Sequence, residues 1–264
     1  MYAVECEHLS CDIGDRRVLY DINFSLRQGE YLSIIGPNGS GKSTLLKSII
    51  ALLGIGEQKG RISLNGCDIS KITRKDIAKS VAYIPQDSLK MPPFTVWEFA
   101  SFSRYPYCQQ NQLNDRDNFA IYHAFELTNT LEFVDKPITY LSSGERQRVY
   151  LAAAIAQGTR ILLLDEPTSF LDPKHATIVS SILRKLCKND GYTVLHVTHD
   201  LTHLLLVEGK VLVLRSGVQI FFGDTSEITK NNGEILTTCF EHKFLFVKNP
   251  EDVSTMLIVP SGLE

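Results

Sequence analysis

Three short stretches hold residue types at spacings that can do chemistry. GPNGSGKST, Gly36 to Thr44, fits the template GxxxxGK[ST] and lies between an apolar run and a helical pattern, the setting in which that template binds phosphate. Glycines there let backbone N–H groups turn inward around phosphate oxygens, Lys42 reaches the β and γ oxygens, and the Ser43 hydroxyl is a ligand for Mg²⁺. The candidate nucleotide-binding residues are therefore Gly36, Pro37, Asn38, Gly39, Ser40, Gly41, Lys42, Ser43 and Thr44. In ILLLDEPTS an apolar strand carries Asp165 to its C-terminal end, where open α/β sheets bind ligands, and Asp165 becomes the second candidate metal ligand. Glu166 follows on the opposite face, placed to take a proton from an attacking water. The third stretch, LSSGERQ from Leu141 to Gln147, puts Ser142, Ser143, Gly144 and Glu145 at the start of a helix, where free N–H groups gather and an anion can bind. A chain with one strong phosphate cradle thus carries a second, weaker one.

The hydrophobic pattern predicts the elements that must position these residues. YLSIIG, Tyr31 to Gly36, is a short apolar run that predicts a buried strand, and KSTLLKSIIALLG predicts a helix stopped by Gly54. Alternating residues in VECEHLSC and YDINFSLRQGEYLSIIG predict strands and turns, with two more strands at Arg61 to Leu64 and Val81 to Ile84. From about Met91 to Gln157 the pattern changes: TVWEFASF, DRDNFAIYHAFELT and GERQRVYLAAAIAQ have helical apolar spacing, which predicts a helical subdomain inserted in an α/β core. The core resumes with the strand ILLLDEP, a helix through HATIVSSILRKLCK, the strand YTVLHVTH, and a hairpin turning at Ser216 and Gly217. Beyond Phe222 short helices and a strand-rich tail are expected.

Composition narrows the class. With 264 residues, 44% hydrophobic and 22% charged, the chain has material for a sizeable core and no signature of disorder. A formal charge of −3 gives no electrostatic footprint for nucleic acid, which is excluded as an expected partner. The cysteines, Cys6, Cys11, Cys67, Cys108, Cys187 and Cys239, lack CxxC spacing, so neither a zinc site nor a disulfide framework is expected; they read as buried thiols in a reducing cytosol. MYAVECEHLS has no basic region followed by an apolar stretch, and no run approaches the ~18–20 apolar residues of a membrane span. The chain itself is expected to stay out of the bilayer.

The phosphate loop, Gln86 in AYIPQ, LSSGERQ, LLLDEPTSFLD and His199 in VTHD occur in an order that resembles the ATP-binding cassette (ABC) ATPases, over about Glu5 to Gly223. That resemblance implies an α/β fold: a P-loop NTPase core of ABC type with an N-terminal antiparallel β subdomain and an inserted α-helical subdomain. The single ABC domain would comprise a nucleotide-binding core at about 1–90 and 158–223, a helical subdomain at about 91–157 and a C-terminal extension at about 224–264. ATP is then the nucleotide and Mg²⁺ its metal. In this family two subunits pack head to tail, which implies a homodimer with ATP sandwiched between copies. Ser142, Ser143, Gly144 and Glu145 would serve the partner's phosphate loop in trans, Ser142 and Gly144 at the γ-phosphate. By the same match Gln86 reaches Mg²⁺ and the attacking water, His199 hydrogen-bonds the γ-phosphate beside the base Glu166, and Asp172 lies on the dimer seam. Two positions depart from the pattern. Ile13 stands where an aromatic residue usually stacks on adenine, and Ser143 where glycine is commoner; a positive φ at Ser143 would cost about 1 kcal/mol.

MPPFTVWEFASFSRYPY, with Ser103 where glycine is usual, and the segment from LSSGERQ to DPKHA are most similar to the ATPases of iron-siderophore, haem and cobalamin importers. The similarity implies an ATP hydrolase held peripherally at the cytoplasmic face of the membrane. It would drive import through a separate integral permease docked on the helical subdomain and, indirectly, serve a solute-binding protein. Another metal-ion importer, an exporter and a soluble non-transport ABC ATPase stay open at this point. A phosphate-loop kinase would leave LSSGERQ and His199 without a role.

Overall fold

The computed structural model describes residues 1–53, 58–86, 92–108, 112–201, 204–248 and 256–262. Its first strands, β1 (Tyr2–Ile13) and β2 (Arg16–Arg27), pair antiparallel, and β1 also pairs antiparallel with β4 (Gln58–Leu64), which carries the short β5 (Cys67–Asp68). Three others are of a different kind. β3 (Tyr31–Ile35), β7 (Ile161–Asp165) and β8 (Thr193–Val197) are buried at every position, as apolar strands are when both faces of a parallel sheet are covered. β3 pairs parallel with β8 and with β9 (Lys210–Arg215), while β7 pairs parallel with β8 and with β6 (Val81–Ile84). With β10 (Val218–Asp224) the sheet runs β5-β4-β1-β2-β10-β9-β3-β8-β7-β6, antiparallel at one end and parallel at the other. The β9–β10 hairpin turns where the sequence predicts, with φ of 49° at Ser216 and 80° at Gly217, the double left-handed conformation of a tight hairpin turn.

Alternation along each strand divides the core in two. Leu162 and Leu164 of β7 pack with Ile84 and with helices α3 (Val96–Phe102), α4 (Asp115–Thr128), α5 (Ser143–Ala156) and α6 (Pro173–Asp190), through Val96, Phe125, Leu151 and Leu183 among others. Ile161 and Leu163 face the other way, toward Leu45, Leu46 and Ile49 of α1 (Lys42–Ile49) and the antiparallel strands. α1 ends before the position the sequence predicts, and Ala51 already has a φ of 51°. Gly54 and Met91, used above as boundaries, lie outside the described residues. The helix α2 (Arg74–Ser80), closed by a capping box between Thr73 and Asp76, has no counterpart in the sequence reading.

SRYPY divides between inside and outside. Arg104 is buried, with Nη2 at 2.8 Å from Asp117 Oδ1, Nη1 donating to Ala156 O at 2.8 Å, and its guanidinium carbon 4.2 Å from the centre of the Tyr107 ring. Tyr105 is 72% exposed and Phe102 55%. Trp97 packs on Tyr122, with ring centres 4.9 Å apart.

The tail forms a 3-10 segment (Thr225–Gly233), α7 (Glu234–Phe240), and the antiparallel pair β11 (Phe244–Lys248) and β12 (Met256–Pro260). Ile228, Leu236, Cys239 and Ile258 pack there on Ile35, Val211 and Val213 as a third cluster. One sequence expectation is corrected: all six thiols are free, but only Cys6, Cys11 and Cys239 are buried, while Cys67 is exposed and Cys108 and Cys187 are half-buried. Cys67 follows the Asn65–Gly66 turn into β5, the edge strand of the sheet, and is exposed there.

The Arg104–Asp117 pair supplies a stability test. Arg104→Met leaves the Asp117 carboxylate, 1% exposed, without its cation, so urea unfolding should show a loss of about 3–5 kcal/mol. Adding Asp117→Asn should recover part of that loss, whereas an unchanged midpoint for Arg104→Met would mean that the pair does not hold α4 to the segment that follows α3.

Candidate functional site

The site stands at the C-terminal ends of adjacent parallel strands. The phosphate loop leaves β3, the segment with Gln86 leaves β6, Asp165 and Glu166 leave β7, and His199 follows β8. Within the loop Gly41 caps α1 with a φ of 101°, and a Cβ there would stand 2.7 Å from Leu19 Cδ2, so a side chain is opposed by both backbone and packing. No side chain caps α1, which leaves its first N–H groups to an external acceptor. Ser40 Oγ is buried with no hydrogen-bond partner, a polar atom inside the loop without an acceptor or donor. Lys42 is 5% exposed, and its Nζ donates to the carbonyls of Gly36 at 2.8 Å and Pro37 at 3.0 Å. Burial pushes its ammonium below the ordinary lysine value, against the pull of Glu166 and Asp165.

Ser43 Oγ donates to Asp165 Oδ1 at 3.0 Å, so two of the three metal-ligand candidates are brought together, while the third, Gln86, bonds to Glu166. Tyr83 of β6 donates to the other oxygen at 3.3 Å. Asp165 is 2% exposed, and desolvation raises its carboxyl above the usual range, with the Glu166 charge adding and the Ser43 and Tyr83 hydrogen bonds opposing. This donor set fits Mg²⁺: one hydroxyl and one carboxylate, hard oxygens that leave room for phosphate oxygens and waters. Among the described residues no cluster of three or more His, Cys, Asp or Glu offers a competing all-protein metal site.

Glu166 has a φ of 51°, the left-handed region, at a cost of ~1–2 kcal/mol for a residue with a Cβ. Its N–H donates to Val197 O at 3.1 Å, which fixes it to β8. Gln86 Nε2 donates to its Oε2 at 2.7 Å, Ser169 Oγ to the same oxygen at 2.9 Å, and His199 Nε2 contacts Oε1. The three expected catalytic residues, Glu166, Gln86 and His199, therefore meet at one carboxylate. Tyr83 and Ser169 were missed by sequence reasoning. Ser169 carries a signal, its position three residues after Glu166 in DEPTS, but Tyr83 is identified only by the pairing of β6 with β7.

The remaining candidates lie elsewhere. Ser142 and Ser143 are exposed, and Ser142 caps α5 in a reciprocal box with Glu145. Ser143 is helical and has no positive φ, so the conformational cost foreseen for it is not incurred. Asp172 caps α6 and is exposed; Ile13 is 46% exposed at the end of β1. The tail approaches the phosphate loop: Cys239, Phe240 and Glu241 share with Pro37, Asn38, Gly39 and Ser40 a cleft of about 260 Å³. A larger cavity, about 770 Å³, lies away from these groups, against Tyr31, Arg184 and Cys187.

Residues 19–169, more than half of the chain, match the family model described as ABC transporter. The chain belongs to the ABC transporter family. It has the P-loop ABC fold, and as a member of that family it is an ATP hydrolase. Among curated ABC proteins it is 38% identical over 251 residues to the iron(3+)-hydroxamate import ATP-binding protein FhuC of Bacillus subtilis, covering 95% of this chain and 92% of the relative. It is 30% identical to the ferric enterobactin transport ATP-binding protein FepC of Escherichia coli, covering 97% and 93%. Among solved ABC structures, a chain from an inward-facing conformation of a metal-chelate type ABC transporter aligns with a TM-score of 0.85 at 26% identity, covering 99% and 98%.

The buried carboxylate gives this ABC ATPase a pH-linked cost. A carboxyl whose folded value is raised contributes stability below its ordinary unfolded range and loses that contribution as pH rises through the raised value. The ionised form of Asp165 is therefore a burden, and at neutral pH Asp165→Asn should raise the midpoint of thermal unfolding of the nucleotide-free protein while abolishing hydrolysis. The gain should shrink as the pH is lowered toward the carboxylate range. A lower midpoint at neutral pH would show that the Ser43 and Tyr83 bonds outweigh desolvation.

Proposed function

We propose that the chain is the ATP-hydrolysing subunit of an importer of a metal chelate, of the iron-siderophore, haem or cobalamin type. It would work as a homodimer beneath a separate integral permease, held peripherally at the cytoplasmic face of the membrane. A solute-binding protein would be engaged only indirectly. The observation that carries the hydrolytic part is the strained, three-partnered Glu166 carboxylate next to the Ser43–Asp165 pair. The import part is supported by the relatives at 38% and 30% identity, whose names specify import of iron(3+)-hydroxamate and transport of ferric enterobactin. No helix among the described residues is long and apolar enough to cross a membrane, in keeping with a separate permease.

In this reading the residues of 36–44 hold the ATP phosphates. Lys42 exchanges the carbonyls of Gly36 and Pro37 for β and γ oxygens, the N-terminus of α1 accepts the remaining negative charge, and Ile13 offers adenine an apolar contact without stacking. Ser43 and Asp165, with Gln86, would hold Mg²⁺, which when bound neutralises charge on the β and γ phosphates. Glu166 takes the proton of the attacking water, while Gln86, Ser169 and His199 fix its carboxylate; His199 then turns its free edge to the γ-phosphate. Exposed Ser142 and Ser143, with Gly144 and Glu145, would close over the partner's γ-phosphate, and Asp172 would line the seam. The helices at about 91–157 would form the arm that meets the permease, with Phe102 and Tyr105 as its exposed aromatics.

Glu166→Gln should lower steady-state hydrolysis by about 10²–10⁴-fold, keep ATP binding, and give a dimer on gel filtration with ATP but not with ADP. Hydrolysis within a few-fold of wild type would remove Glu166 from the role of base, and a persistent monomer would remove the trans assignment. Lys42→Ala should instead weaken ATP binding itself, and an unchanged affinity would contradict its phosphate contact. Tyr105→Glu should leave basal hydrolysis intact but abolish stimulation on reconstitution with the permease and uptake of a ferric siderophore; full coupling would move the docking surface elsewhere.

A further inference from the structure

The turn at Ser142–Glu145 is closed on itself. Glu145 Oε2 accepts from the Ser142 N–H at 2.8 Å and from its hydroxyl at 2.7 Å, and Ser142 Oγ accepts from the Glu145 N–H at 3.3 Å. None of these bonds places the turn relative to the rest of the molecule. Gly144 does. It is buried although Ser142 and Ser143 beside it are exposed, and a Cβ built on it would lie 2.3 Å from Cγ and 2.4 Å from Cδ2 of His175. Its φ is not positive, so the backbone does not demand glycine here; the imidazole does. That ring is itself held. His175 Nδ1 lies 2.8 Å from Asp172 Oδ2, and the His175 N–H donates to Asp172 Oδ1 at 3.0 Å, so one carboxylate caps α6 and clamps the ring. The ionised carboxylate accepts only, which puts the proton on Nδ1. Asp172 is reached from Glu166 in six residues, and Ser169 between them is bonded to the Glu166 carboxylate.

We propose that His175 is a positioning residue for hydrolysis, tying the turn at Ser142–Glu145 to the N-terminus of α6 so that both are presented to the partner's nucleotide as one unit. The assignment rests on the trans reading given above. It also makes the turn that serves the partner's site answer to the loop that carries this chain's own catalytic carboxylate, through Glu166, Ser169, Asp172, His175 and Gly144. Two further consequences follow from the geometry. A donor at the Nδ1 position is required, and the space at residue 144 is limited by residue 175 rather than by the phosphate alone.

The test combines steady-state hydrolysis with single-chain ATP binding. His175→Ala should lower kcat about tenfold or more while ATP affinity of the isolated chain stays within twofold, and His175→Asn, whose amide nitrogen occupies the place of Nδ1, should recover most of the loss. Gly144→Ala should be damaging in the wild-type background and add little in a His175→Gly background, which removes both the ring and the His175 Cβ that would lie 2.8 Å from the new methyl. Wild-type kcat for His175→Ala, or an equal Gly144→Ala penalty in both backgrounds, would overturn the proposal. In the Glu166→Gln background His175→Ala should weaken ATP-driven dimerisation at least tenfold, and unaltered dimerisation would also overturn it. Failure of Glu166→Gln alone to dimerise would instead count against the trans reading, and the non-additivity between 144 and 175 would still report on the clamp.

Discussion

The hydrogen bond from Ser43 to Asp165 joins two chain segments more than a hundred residues apart and depends on β3, β8 and β7 keeping their register. β8 is the intermediary, paired with β3 from Tyr31 to Ile34 and with β7 from Ile161 to Asp165. A slip of one residue in either pairing would turn Leu163 and Leu195 away from one half of the core and Leu162 and Val194 away from the other. The apolar alternation on both faces thus sets the register, and the register sets where a hydroxyl from one strand end meets a carboxylate from another. Helices on both faces are needed for the same reason, since a parallel sheet with an uncovered face would lose half of that specification.

The site works against stability in several places. Burial opposes ionisation of Asp165 and protonation of Lys42, and Glu166 occupies a backbone region unfavourable to a residue with a side chain. The two charge costs share a direction: each would be relieved by something that binds. Phosphate oxygens would add negative charge beside Lys42, and a divalent cation would reverse the environment of Asp165. Strain of this kind persists only where the surroundings overdetermine it, and Glu166 is fixed by its own N–H, by Gln86, by Ser169 and by His199. An apolar β7 mouth would be more stable and would do nothing.

Much of this was legible in the sequence because it is written locally. The phosphate loop needs its glycines and lysine within nine residues, ILLLDE is a strand with its acids at the end, and the Ser216–Gly217 turn is a two-residue signal. Contacts between neighbouring strands are not local. Tyr83 reaches Asp165 because β6 pairs with β7, and nothing in AYIPQ states which strand will lie beside it. His199 was placed at the site by motif order, but its meeting with Glu166 depends on β8 lying against β7. The tail was opaque for a related reason: Leu236, Cys239 and Ile258 bury themselves on Ile35, Val211 and Val213, residues more than twenty positions away.

The presence of two cradles in one chain acquires a physical reason once the two are compared. The loop at 36–44 has an uncapped helix, a buried lysine and an unpartnered Ser40 hydroxyl, so its polar groups are left open to a ligand. The turn at 142–145 has satisfied its own serine and glutamate, and presents mainly N–H groups and the positive end of a 14-residue helix. The first can hold phosphate alone; the second has too few free donors to do so and can only add to a phosphate already held. In the proposed dimer a weak cap of that kind would discriminate by charge, because ATP offers it the negative γ-phosphate and ADP does not. Binding strength in the one and selectivity in the other are then separable, and a chain that carries both is suited to closing on ATP and reopening after its hydrolysis.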